Sequence, residues 1–258
     1  MPDLLVERDG GVVTLTLNRP DKMNAITRDM WGELREVFDD VATRTDDRVL
    51  VITGAGRGFC GGADLVNAGM PQSSGARLEH MRGVGRSAAA LRAIPKPTIA
   101  KVNGAAAGAG LNLALGCDLV IASEKATFGQ PEIKLGVFAP PATVLLPRRI
   151  GVGPATAMLL TGETVGALEA KRLGLVNEVF AVEEFESEAE AWIDKLLALS
   201  GAALVLAKRA LRESSGLPLG EAHERMHDIY MYDLMATNDA HEGLRAFVEK
   251  RLAAWKHR

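Results

Sequence analysis

The chain has 258 residues, 47% hydrophobic and 24% charged, a globular balance that excludes wholesale disorder. Its formal charge of −3 excludes a general polyanion binder but leaves room for a local basic patch. Two cysteines, Cys60 and Cys117, cannot make a disulfide framework and point to a reducing, cytoplasmic setting.

At roughly 100–200 residues per domain, this length fits one large domain or two small ones. Asp3, Glu7, Arg8 and Asp9 stand where a signal peptide needs an apolar stretch. Alternating apolar residues from Leu4 to Leu17 flank Asp9-Gly10-Gly11 and predict a hairpin. Thr27 is placed to cap a helix with the apolar face Met30, Leu34, Val37, Phe38 and Val41. A buried strand at Val49–Thr53 leads into a glycine loop, Gly54 to Gly62. A helix over 76–93 stops before Pro95-Lys96-Pro97. A strand at Thr98–Val102 leads into a second Gly/Ala loop, 104–110, and then a helix from Leu111. The longest uncharged run, Val102 to Cys117, is too short and glycine-rich to span a bilayer. A third strand covers Leu119–Ala122. Beyond Pro154 strand signals nearly vanish, except at Val176–Phe180. Helical patterns follow at 183–200, 202–213, 219–236 and 238–250. The pattern is α/β in front and helical behind.

Gly56-Arg57-Gly58-Phe59-Cys60-Gly61 matches the dinucleotide fingerprint G-x-G-x-x-G. That motif should open directly into a helix, whereas Gly62-Ala63-Asp64 and then Pro71, Ser73, Ser74 and Gly75 read as loop. His223-Glu224-Arg225-Met226-His227 matches H-E-x-x-H, which on a helix sets two histidines one turn apart, with Glu242 as a conceivable third zinc ligand. The plainer reading is an amphipathic helix with Leu219, Ala222, Met226, Ile229 and Tyr230 facing inward.

The informative pair is Phe59-Cys60-Gly61-Gly62-Ala63-Asp64-Leu65 and Asn103-Gly104-Ala105-Ala106-Ala107-Gly108-Ala109-Gly110-Leu111. Each follows a strand, and the second runs into a helix whose first N–H groups are free. Side by side, two such loops make a two-donor oxyanion hole.

These segments belong to a longer ordered set: Asn18-Arg19-Pro20 with Asn24-Ala25, the F-C-G-G-A-D-L loop, K-P-x-I-A-x-V-N-G over 96–104, Cys117-Asp118, F-G-Q-P-E-I-K-L-G over 128–136, Leu160-Thr161-Gly162, and Ala246 to Arg251. In this set the chain resembles the crotonase, or enoyl-CoA hydratase/isomerase, family over essentially its full length. The resemblance implies an α/β spiral core of stacked ββα turns over 1–200 and a helical trimerisation region over 201–258. It implies acyl-CoA substrates, no metal or redox cofactor, and a homotrimer or dimer of trimers. Neither nucleic acid nor a membrane is expected as partner, and the 5% aromatic content agrees for nucleic acid. By position, Ala63 and Ala109 match the two oxyanion donors. Lys22, Met23, Ala25, Ala63, Asp64 and Leu65 match the CoA-binding surface. Phe247 and Lys250 match a late helix covering the adenine end. Glu132 matches one catalytic glutamate.

Three departures stand out. Asn112 occupies the position of the hydratases' second glutamate. Ala109 replaces a usual glycine, which an N–H donor tolerates only at negative φ. Val137-Phe138-Ala139-Pro140-Pro141-Ala142 replaces a glycine-rich loop, as in single-carboxylate isomerases and in alicyclic dienoyl-CoA hydratases. The apolar neighbours Phe128, Ile133 and Leu135 predict a raised pKa for Glu132. One carboxylate suffices to move a proton from C2 to C4, whereas Asn112 holds a water but cannot take its proton. Isomerisation with Glu132 as sole acid/base is therefore the leading expectation, and hydration, assisted by Asn112, the alternative.

Overall fold

The computed structural model describes residues 1–65 and 73–257. Strands β1 (Leu4–Asp9) and β2 (Val12–Leu17) form the expected hairpin, with Asp9 opposite Val12. Its two-residue turn places Gly10 at φ 53° and Gly11 at φ 87°, the paired positive angles that a tight hairpin demands. Helix α1 (Met30–Thr43) follows, and the Thr27 hydroxyl accepts from the Met30 N–H at 3.3 Å. The predicted face is the buried one: Met30, Leu34, Phe38 and Val41 go into the core, joined by Trp31.

The chain continues through β3 (Val49–Gly54), α2 (Ser74–Ala93), β4 (Thr98–Val102), β5 (Ala105–Ala107), α3 (Ala109–Gly116), β6 (Leu119–Ser123) and β7 (Thr127–Gly129). Then come α4 (Pro140–Ile150), α5 (Val152–Thr161), β8 (Thr164–Gly166), α6 (Ala167–Arg172) and β9 (Glu178–Phe180). The main sheet runs β1-β2-β3-β4-β6-β9, parallel except for the first hairpin. A small sheet, β5-β7-β8, stands apart from it. Strands β3, β4 and β6 are buried along nearly their whole length, as parallel strands covered on both faces must be.

Three local expectations give way. The stretch 104–110 is not all loop: Ala105–Ala107 pair in parallel with Thr127–Gly129, and α3 starts two residues early, at Ala109. Short alanine runs carry no strand signal, so the pairing partner decides. The segment 137–142 turns into α4 at Pro140, a residue whose fixed φ suits a first helical turn. Strand β8 lies in a region where no strand was predicted.

Two compact units divide the chain, one of residues 1–94 with 98–190, the other of 95–97 with 191–258. Helix α7 (Phe185–Leu197) runs through that boundary. The second unit carries α8 (Gly201–Ser214), α9 (Leu219–Asp228), a π-helical stretch at Ile229–Leu234 and α10 (Asn238–Glu249). Within it the Asp239 carboxylate is buried, accepting from the Ser200 hydroxyl at 2.6 Å and from the backbone N–H groups of Lys256 and His257. Among the described residues, no helix is long and apolar enough to cross a membrane.

Candidate active site

The segments that follow β2, β3, β4 and β7 are joined one to the next by hydrogen bonds. Gly61 N–H donates to Met23 O at 2.7 Å, and Ile26 N–H donates to Gly62 O at 2.8 Å. Cys60 N–H donates to Ala105 O and Ala107 N–H to Cys60 O, both at 2.9 Å. Gly108 N–H then reaches Gly129 O at 3.0 Å, just ahead of the 3-10 turn Pro131–Leu135 that holds Glu132. Four segments distant in sequence thus lie in a row.

The pairing leaves two N–H groups over. Ile26 bonds to Gly62 and to Asp64, so the N–H of Ala63, between them, turns to the other side. Ala109 opens α3, where the first N–H groups have no intrahelical acceptor. Among the described residues neither N–H has a partner. The positive φ of this turn falls on Gly108, at 54°, and Ala109 is free of it, which meets the condition for an alanine donor.

Glu132 stands beside that turn. A Cβ on Gly108 would come within 2.6 Å of its Oε1, so the carboxylate abuts the residue that precedes Ala109. Burial pushes its pKa above the ordinary carboxylate value, partly offset by its own backbone N–H. Asn112 lies one turn along α3, its N–H donating to Gly108 O at 3.0 Å. The buried Gln130 fits between Asn112 and Glu132.

Of the residues matched to the CoA surface, Lys22 ends a short 3-10 turn and is exposed, as is Leu65, while Met23 and Ala25 are half-buried. Asp64 is 6% exposed and pairs with Arg19 at 2.9 Å. Arg19 also donates to Ala25 O. Asn24 is wholly buried in the left-handed region, accepting from Arg19 N–H and donating to Ala55 O and Gly58 O. Arg19 and Asn24 therefore shape the first loop, a role their spacing did not reveal. Gln130 was also missed, because a neutral amide in a strand-to-turn junction carries no sequence signal of its own. Phe247 and Lys250 belong to the second unit: Phe247 is exposed on α10, and Lys250 ends the helix at φ 54°.

The two competing motifs fare differently from their templates. Gly61 leads into the bridge at Ala63, not into a helix, so the dinucleotide geometry is missing. His223 and His227 do sit on α9, but among the described residues no three His, Cys, Asp or Glu converge on a common point. Cys60, beside the loops, is buried, and its thiol pKa is pushed up to about 12, which keeps it an inert packing group.

Two backbone N–H groups without a partner among the described residues and a half-buried carboxylate thus lie on neighbouring, hydrogen-bonded segments of the first unit. The chain belongs to the enoyl-CoA hydratase/isomerase family, whose model matches residues 7–258. It is 41% identical over its full length to the 2,3-dehydroadipyl-CoA hydratase of Escherichia coli K12, all of which is covered. It is 35% identical to the cyclohexa-1,5-dienecarbonyl-CoA hydratase of Thauera aromatica, covering 98% of this chain and 96% of that one. Among solved structures, an enoyl-CoA hydratase from Mycobacterium smegmatis superposes with a TM-score of 0.94 at 36% identity, covering 99% of both chains.

Proposed function

We propose that this enzyme shifts the double bond of an enoyl-CoA thioester, with Glu132 as the acid/base and the N–H groups of Ala63 and Ala109 holding the enolate oxygen. The reading rests on one observation: the carboxylate against Gly108 is raised in pKa by burial, while the position one turn along α3 is an amide. Glu132 takes the C2 proton of a 3-enoyl thioester, and the C–H electron pair moves into the dienolate, placing charge on the thioester oxygen. The two N–H donors stabilise that charge, each worth about 3–4 kcal/mol in comparable sites. The carboxylic acid then returns its proton to C4, which leaves the 2-enoyl thioester. No electrons leave the substrate, so the reaction calls for no redox cofactor.

Hydration is the second reading, favoured by the hydratase names of the 41% and 35% identical relatives. In it, water adds at C3, Glu132 takes the water proton and returns one to C2, and Asn112 holds the water. Spectrophotometric assays with 3-enoyl- and 2-enoyl-CoA separate the two. Turnover of the 3-enoyl substrate without hydration supports the first reading, and hydration without isomerisation replaces it. Glu132→Gln keeps the side-chain shape but removes the base, so either activity falls about 10²–10⁴-fold. Asn112→Ala costs isomerisation far less but removes the water contact that hydration uses. An inactive Asn112→Ala beside an active Glu132→Gln would reverse the assignment.

We also propose self-association through the second unit. It exposes Leu211, Leu219, Tyr230, Met231 and Tyr232, large apolar side chains that a second copy would cover. Light scattering tests this, and a monomer mass at working concentration refutes it.

A further inference from the structure

The side chain of Gln130 is 2% exposed, and a buried amide needs partners for both of its ends. One orientation of the amide gives it both. With its nitrogen toward Glu132, Nε2 lies 2.9 Å from Oε2 and 3.2 Å from Oε1 of the carboxylate. Its oxygen then faces the Asn112 amide across 3.2 Å, and that amide, turned to match, donates to it. The opposite orientation would set the Gln130 oxygen against the carboxylate oxygens, acceptor against acceptor, so the first is the one that satisfies the site.

We propose that Gln130 is the positioning residue of this site: its amide bridges Asn112 to Glu132 and donates to the carboxylate that takes and returns the proton. The inference rests on the reading of Glu132 as the acid/base. It gives Asn112 a task that an ionised carboxylate in its place could not share: an amide donates to the Gln130 oxygen, whereas an ionised acid only accepts.

The consequence is read in the pH profile. The groups facing the carboxylate from α3 and the turn before it, Asn112 and Gly108, are uncharged. Lys134, on the same 3-10 turn, lies against Gly162 instead, and α5, packed on that turn, has no ionisable side chain. Burial raises the Glu132 pKa, and the Gln130 N–H, bonded to the charged form, works against that rise. A hydrogen bond to a carboxylate is stronger than one to the neutral acid. Losing Gln130 therefore favours the acid on balance, and the pKa climbs.

The test compares the pH dependence of kcat/KM for wild type, Gln130→Met, Asn112→Leu and Glu132→Gln, using whichever enoyl-CoA the wild type turns over. In Gln130→Met the acid limb should move up by about one pH unit, with KM within about twofold. Asn112→Leu, which removes only the far end of the bridge, should move it the same way by less. An acid limb of folded Gln130→Met that coincides with wild type overturns the proposal. If that variant does not fold, an unmoved limb in Asn112→Leu overturns it. A fully active Glu132→Gln is a different result, since it removes the acid/base reading and this inference with it.

Discussion

The loops that follow β3 and β4 look alike in sequence, both rich in Gly and Ala, yet they are held in different ways. In the first, over 54–64, the donor Ala63 does not open a helix at Asp64 or Leu65. Side chains add to its backbone bonds: Asn24 bonds to Ala55 O and Gly58 O, Asn103 to Gly54 O and Gly56 O, and Arg19 pairs with Asp64. The second, over 104–110, is held by backbone alone, through β5 pairing with β7 and through the first turn of α3. Repeating structure satisfies its own polar groups, whereas an irregular loop has to borrow partners. The first loop should therefore respond to deletions of polar side chains, and the second to added bulk.

Gly108→Ala should produce the largest change. The residue sits at φ 54°, ψ −119°, a conformation costing a non-glycine residue about 1–3 kcal/mol. Its new Cβ would also push the Glu132 carboxylate out of place. A displacement near 1 Å costs about 10²-fold in rate, so activity should collapse while thermal stability falls only moderately. Near-wild-type turnover would show that the carboxylate adapts.

Arg19→Met comes next, and it breaks the other loop. Arg19 and Asp64 are both largely buried, and removing one partner of such a pair costs about 3–5 kcal/mol. Urea denaturation measures it, and a midpoint shift equivalent to less than 1 kcal/mol would put the pair among screened surface contacts. Asn24→Ala deletes three hydrogen bonds from a fully buried amide and should cost about 1–3 kcal/mol. Its left-handed backbone, φ 55°, tolerates alanine poorly, so Asn24→Gly should lose less than Asn24→Ala.

Asn103→Ala should have the smallest effect. It deletes two bonds, to Gly54 O and Gly56 O, but its Oδ1 is buried without a partner among the described residues. Relief of that cost offsets part of the loss, leaving about 1 kcal/mol or less. Asn103→Ala exceeding Asn24→Ala in the same denaturation series would invert this ordering of the clamps.

The second unit obeys a third rule, with charges at its surface tying its tail. Arg251 and the Ala254 N–H hold the Glu242 carboxyl at a pKa of about 2, well below its ordinary value. A carboxyl group depressed on folding contributes stability above its unfolded pKa and loses it as pH falls through the folded one. That contribution should fade between about pH 4.5 and pH 2, and Glu242→Gln should flatten the stability curve over this window.

The sequence by itself determined the order of the first hairpin, α1, β3, α2, β4, α3 and β6, and the family, because these rest on local periodicity, turn chemistry and an ordered run of motifs. It also marked Glu132 and the departure at Asn112. The tertiary structure alone decided that Ala105–Ala107 is a strand, since pairing with Thr127–Gly129 replaces the propensity that alanine lacks. It alone turned Asp64 toward Arg19 and set Gln130 between Asn112 and Glu132. Those contacts join residues 45 and 18 positions apart, and no pattern of neighbours along the chain encodes which buried polar groups will meet. Burial forces them to find partners, and only the returning strands determine which ones are within reach.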